Sequence, residues 1–289
     1  MNSSELNQQI IFVTGKGGVG KSTVAAAIAW SHAQAGQKTL LVELGYQSFY
    51  QDYFHLEKVS YKPTSLKPGL DVALWSGPEC LREYALHLIK VETLYRLFFE
   101  NQVSRSLINV APALSELAIL GKVTSHLRKV GPEMTYDCIV VDAFSTGHML
   151  ALLRAPLGMA EAIHFGPMGD QTRAIFEILK DSAKTSFFVV SLPEELPVIE
   201  SLELSKGIHE TTGSNPVLLL NKFLPIPEVL IKTQLESSFA NFISATQERQ
   251  NSALKKLSQP NVPVKKLPFI LTSKSWEIVD TLAKEFIHA

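Results

Sequence analysis

Apolar residues gather in short runs along the chain, and seven of them carry the composition of strands: Ile10–Thr14, Thr39–Glu43, Asp71–Trp75, Cys138–Asp142, Ser186–Ser191, Val217–Asn221 and Val264–Leu267. None alternates strictly between apolar and polar, which suits strands buried on both faces of a parallel sheet. Between them lie helical stretches long enough to cross over a sheet, including Lys21–Ala35, Glu194–Thr212 and Ser273–Ile287. That rhythm predicts a three-layer, doubly wound α/β domain with a mainly parallel sheet. The pattern does not give the order of the strands.

One stretch breaks the rhythm. Residues from Pro78 to Lys129 are too many for one crossover and are helical in character throughout, so a helical insertion at about 78–130 is expected within a single domain spanning 1–289. Leu81, Tyr84, Ala85, Leu88, Leu94, Leu97 and Phe98 fall largely at helical spacing, and Leu114, Leu117, Ile119, Leu120 and Val123 continue the apolar content. Such a stripe either packs into a core of its own or offers an apolar face to another protein.

Composition narrows the class. With 289 residues, 46% of them hydrophobic, and a net charge of −1, the chain has a globular composition and no basic field to hold nucleic acid or an anionic membrane. Cys80 and Cys138 stand far apart and form no metal-type pair, so neither a disulfide framework nor a cysteine zinc site is expected. The first nine residues lack the order of a secretory signal and no run has the length of a membrane span, so a soluble, cytoplasmic protein without stable membrane insertion is expected.

The candidate chemistry begins where the first strand ends. Gly15, Lys16, Gly17, Gly18, Val19, Gly20, Lys21, Ser22 and Thr23 follow a strand and open a helix, the setting that the phosphate-binding pattern G-x-x-x-x-G-K-[ST] requires. Glycines let backbone amides converge on phosphate oxygens, the helix start adds its positive end, Lys21 reaches the β- and γ-phosphates, and Ser22 can ligate magnesium. ATP and Mg2+ are the implied cofactors. Asp142 closes an apolar strand at the carboxyl edge of the expected sheet, where a magnesium-organising acid belongs, and joins Ser22 as a candidate metal ligand.

The loop resembles the signature-lysine ATPases, which carry an additional early lysine in the phosphate loop, at the position of Lys16. In that group this lysine reaches the nucleotide of a partner subunit, so the resemblance implies a dimer and gives Lys16 a catalytic role beside Lys21 and Asp142. The stretch from Asp142 through Ser145-Thr146-Gly147-His148 to Pro156 is similar to the switch II segment of the ArsA family within that group, with Phe144 and Ser145 in place of the family's Ala-Pro. Further likeness lies at Ala111 to Leu117 and at Val189 to Glu195 with Glu200, so that it covers nearly the whole chain. Asn221 stands where the family's asparagine binds adenine, a role its amide suits by offering one donor and one acceptor. Pro268-Phe269 lies where the family closes over the base, although Phe269 is equally suited to core packing. His148 is not assigned to catalysis.

The resemblance fails after the second strand. Where the family places the switch I acid that positions the attacking water, this chain has Gly45, which has no side chain to orient or deprotonate anything. Glu43, two positions upstream, either substitutes for it or serves as a loop-fixing or second-layer carboxylate. Retained but weak hydrolysis is expected. No counterpart of the family's zinc-binding or arsenite-binding cysteines is present, so a dimer would be held by other contacts, either between identical subunits or with a paralogue. The function expected is an ATPase of the ArsA type that couples nucleotide binding to dimer closure and to movement of the helical region against an apolar segment of a client protein. The alternatives are a weak or inactive regulatory subunit of a paralogous pair, and a positioning ATPase like MinD or ParA.

Overall fold

The computed structural model describes residues 8–89, 112–131, 133–162, 167–225, 237–257 and 263–287. Its strands are β1 (Ile10–Gly15), β2 (Thr39–Leu44), β3 (Thr64–Lys67), β4 (Leu70–Trp75), β5 (Cys138–Ser145), β6 (Thr185–Ser191), β7 (Val217–Phe223) and β8 (Val264–Pro268). They form one eight-stranded sheet in the order β3-β4-β2-β5-β1-β6-β7-β8. Among the described residues only β3 runs antiparallel, paired to β4 through a turn at Gly69, and every other pairing is parallel. The fold is therefore the doubly wound α/β sheet that the apolar runs predict, with one strand added at its edge.

β1 and β2 are buried at every position, as central parallel strands covered on both sides must be. Alternate residues serve the two faces. Ile10, Phe12, Leu40, Val42, Ile139, Val141, Phe187 and Val189 point to one side, and Ile11, Val13, Leu41, Val140, Phe188 and Val190 to the other. The second face is covered by α1 (Lys21–Gln34), the short α2 (Phe49–Tyr53) and a final helix, Ser275–Ile287. The first face is covered by α6 (Thr146–Ala162), α7 (Pro167–Lys180), α8 (Glu195–Thr212) and α9 (Ser237–Leu257), the final helix becoming α10.

The first face also receives part of the stretch expected as an insertion. It contains α3 (Gly77–Ile89), α4 (Pro112–Val123) and α5 (Ser125–Arg128). Leu117, Ile119, Leu120 and Val123 of α4 are buried in the same core as the strands, so this helix belongs to the layer covering the sheet. Leu94, Leu97, Phe98 and Ala111 lie outside the described residues, as do the side chains of Ala85 and Leu88.

Two features of this topology place the site. Connections from β1 lead to β2 and β4 on one side while β6 to β8 extend the sheet on the other, and a crevice opens at the carboxyl edge where the winding reverses. The carboxyl ends of β1, β2 and β5 lie side by side there, with Glu43 opposite Asp142 in the ladder.

Candidate functional site

The loop leaving β1 is shaped by glycine where the backbone requires it. Gly15 has φ +145°, and a Cβ there would stand 2.2 Å from the Val190 carbonyl oxygen of β6. Gly20, at φ +92°, is the residue from which α1 springs, and a Cβ there would meet the Asn221 amide nitrogen at 2.5 Å. Gly18 is also left-handed, at φ +83°, but faces open space. The result is a turn of backbone amides wound ahead of a helix start, with α1 carrying no acidic residue in its first turn. Both the amides and the dipole end of α1 favour an anion at that place.

Lys21 opens α1, and its ammonium reaches back to the Lys16 carbonyl at 3.4 Å, across the loop that it would share with phosphates. Lys16 points elsewhere. Its Nζ forms an ion pair with Glu200 of α8 at 2.6 Å, with both side chains partly exposed. The structure thus separates the two lysines that the sequence places in one loop.

Asp142 and Glu43 lie beneath the loop at the ends of β5 and β2, and both are buried. Asp142 Oδ2 accepts a hydrogen bond from the Tyr50 hydroxyl at 3.1 Å, while Oδ1 is buried without a hydrogen-bonding partner among the described residues. Burial pushes the carboxyl up to about 6; the Ser22 hydroxyl and the Lys21 ammonium pull it back, the charge of Glu43 adds to the rise, and the Tyr50 hydroxyl opposes it. A carboxylate oxygen with no partner, set beside a serine hydroxyl, is the hard-oxygen donor set that suits magnesium. Ser22 and Asp142 therefore fit the metal they are expected to hold.

Glu43 is engaged locally. Its two oxygens accept from the Ser48 hydroxyl at 2.6 Å and the Phe49 amide at 2.7 Å, and Ser48 in turn caps α2 by accepting from the Gln51 amide. Burial raises its carboxyl, and the Ser48 hydroxyl and the amides of Phe49 and Tyr50 hold it down. The carboxylate is used to fix the loop that follows β2. Gly45, in that loop, has only the Gln47 carbonyl oxygen within 4.0 Å of a Cβ built on it.

Asn221, at the end of β7, donates from Nδ2 to the Val19 carbonyl at 2.8 Å and so ties the phosphate loop to the far half of the sheet. Beside it opens a cleft of about 410 Å³ lined by Gly20, Thr23, Tyr53, Asn221, Phe269 and Ile270 among others. The sequence brought Asn221, Pro268 and Phe269 to the same purpose from separate strands, and all three line this cleft. Phe269 is 42% exposed, so it is not a core residue. His148 is exposed at the start of α6, its ring edge-on to Phe144 at 6.0 Å.

Sequence reasoning missed Tyr50 and the β2–α2 loop. The signal was partly there, since Ser48-Phe49-Tyr50-Gln51 has the S-x-x-Q spacing of a helix cap. Nothing in an aromatic cluster marks which ring carries a working hydroxyl.

Residues 8–166 match the family model described as anion-transporting ATPase. The chain belongs to the anion-transporting ATPase family. Among this family's curated members, it is 31% identical over 233 residues to a putative arsenical pump-driving ATPase of Halobacterium salinarum, a match covering 74% of this chain and 35% of that protein. It is 29% identical to the ATPase BagA of Mycobacterium tuberculosis, over 74% of this chain and 64% of the relative. A second putative arsenical pump-driving ATPase, from Aquifex aeolicus, is 26% identical over 90% of this chain and 91% of its own length. The chain thus spans about a third to two thirds of the first two relatives. The family's phosphate loop and switch II segment fall within the matched residues, whereas Asn221 and Phe269 follow the last of them.

Proposed function

We propose that this member of the family binds ATP with magnesium and hydrolyses it slowly. The observation that carries the proposal is the orphaned, buried Oδ1 of Asp142, set beneath a glycine-shaped amide loop with Lys21 and Ser22 at the start of α1. Amides of residues 15 to 23 and the Lys21 ammonium hold the phosphates, Ser22 and Asp142 hold magnesium, and Asn221 with Phe269 receives adenine in the adjoining cleft. Bound magnesium would neutralise phosphate charge. Slow turnover follows from Gly45, which offers no side chain for the attacking water, and from Glu43, whose carboxylate is held toward the start of α2 by Ser48 and Phe49.

Lys16 is assigned to the nucleotide of a partner subunit, in a dimer of like chains or with a paralogue. The helical region is assigned to moving with that closure, against an apolar segment of a client protein. Support for both comes from the family, two of whose members, in Paramecium tetraurelia, are ATPase ASNA1 homologues. Calorimetry with ATP and magnesium, followed by single-turnover phosphate release, tests the proposal. Binding that Lys21→Ala abolishes, with slow release, supports it; no uptake of adenine nucleotide overturns it.

A second reading is favoured by Gly45 alone: a regulatory subunit that uses ATP to hold its shape. Phosphate release that appears only when a paralogue is mixed in, or never, selects that reading.

A further inference from the structure

We infer that Tyr50 is a positioning residue of the magnesium–nucleotide site, aiming Asp142 and tying it to both α1 and the helix after β2. The inference rests on the nucleotide proposal above. Tyr50 is fully buried, and its hydroxyl lies 3.1 Å from Asp142 Oδ2 and 2.9 Å from the Ser22 carbonyl oxygen. A buried phenol must find a partner, and this one shares its single hydrogen between a carboxylate at the end of β5 and a carbonyl in the first turn of α1. It thereby occupies one oxygen of Asp142 and leaves the other, Oδ1, without a partner among the described residues.

The same ring is built into α2. It lies parallel to Phe54 at 5.9 Å, and Phe54 stacks on Trp276 of α10 at 4.4 Å, so the Phe54 ring links Tyr50 to α10. One turn along, Tyr53 lines the nucleotide cleft. Glu43 fixes the start of α2 through Ser48 and Phe49, so both acids paired across β2 and β5 grip this one short helix. Packing alone would be satisfied by phenylalanine or leucine at position 50. The hydroxyl adds only the link to Asp142 and Ser22.

The test separates hydroxyl from packing. ADP affinity is measured by calorimetry in magnesium and in EDTA for the wild type, Tyr50→Phe and Phe54→Leu. Tyr50→Phe is expected to match the wild type in EDTA and to gain about tenfold less from magnesium, the scale of one hydrogen bond to a charged group. Phe54→Leu, which breaks the stack and keeps the hydroxyl, is expected to keep the full magnesium gain. An unchanged magnesium gain in Tyr50→Phe overturns the inference. So does equal weakening of that variant in both buffers, or an equal loss of the gain in Phe54→Leu. A wild type that takes up no ADP in either buffer overturns instead the nucleotide proposal beneath it.

Discussion

The glycines of the phosphate loop differ in what an added methyl would meet, and alanine at each tests separate physical terms. At Gly17 the backbone is not left-handed and, its two chain neighbours aside, no heavy atom of the described residues lies within 4 Å of a built Cβ. Gly17→Ala should therefore gain about 0.4–1 kcal/mol, because the unfolded chain loses freedom. Gly18 has the same open space but φ +83°. Its alanine adds left-handed strain of about 1–2 kcal/mol, so the gain is cancelled or reversed. Gly20 adds a contact: the Cβ would lie 2.5 Å from Asn221 Nδ2, and that amide, on a residue 4% exposed, would be driven off the Val19 carbonyl. Leaving a buried amide or carbonyl unpaired costs about 1–3 kcal/mol more. The expected order of stability is Gly17→Ala, wild type, Gly18→Ala, Gly20→Ala, measured by urea unfolding without nucleotide. A double-mutant cycle isolates the contact, because Asn221→Ala removes the obstructing amide and should lower the cost of Gly20→Ala to that of Gly18→Ala. If Gly20→Ala costs the same in both backgrounds, or Gly18→Ala costs as much, the amide is not what the methyl meets.

Two further outcomes follow from the buried charges. Asp142 is raised from 3.8 to about 6, so between those values the folded state holds a proton that the unfolded chain releases, and stability falls as pH rises through that window. At ~1.4 kcal/mol per tenfold change in proton affinity the loss is ~3 kcal/mol, and nucleotide-free Asp142→Asn should exceed the wild type by that order above pH 6 and converge with it near pH 4, by thermal or urea unfolding. Lys122 of α4, only 8% exposed, pairs with Glu83 at 2.8 Å and lies over the rings of Tyr61 and Trp75 at 3.6 and 4.5 Å. Lys122→Met should destabilise by about 2–4 kcal/mol, since it leaves Glu83 without its cationic partner in a half-buried place, and Lys122→Met with Glu83→Gln should recover part of that loss in the same unfolding assay.

How much was legible depended on whether a signal was local. The central strands were, because burial on both faces leaves continuous apolar runs, and so was the phosphate loop, because its spacing is set by the backbone path of nine consecutive residues. β3 was not: Thr64–Lys67 lies at a sheet edge, half exposed, and its apolar content is one leucine, although Pro68-Gly69 marked the turn beside it. α4 was legible as helical but its place in the layer covering the sheet was not, since a stripe of Leu117, Leu120 and Val123 says that a face is buried without saying against what.

The site divides in the same way. Asp142 could be named because a carboxylate ending an apolar run is visible in one dimension, whereas the Tyr50 hydroxyl becomes meaningful only when the fold brings it to Asp142, 92 positions further along the chain. Glu43 shows the limit most plainly. Period-two spacing puts Glu43 and Gly45 on one side of the strand, so direction alone leaves the acid free to replace what Gly45 lacks. Its hydrogen bonds to Ser48 and Phe49 hold both oxygens at the start of α2. Each oxygen keeps a second lone pair for a water, so what the two bonds fix is direction: Glu43 can orient a water only where the loop after β2 aims it, and turning it toward the place above Gly45 would break both.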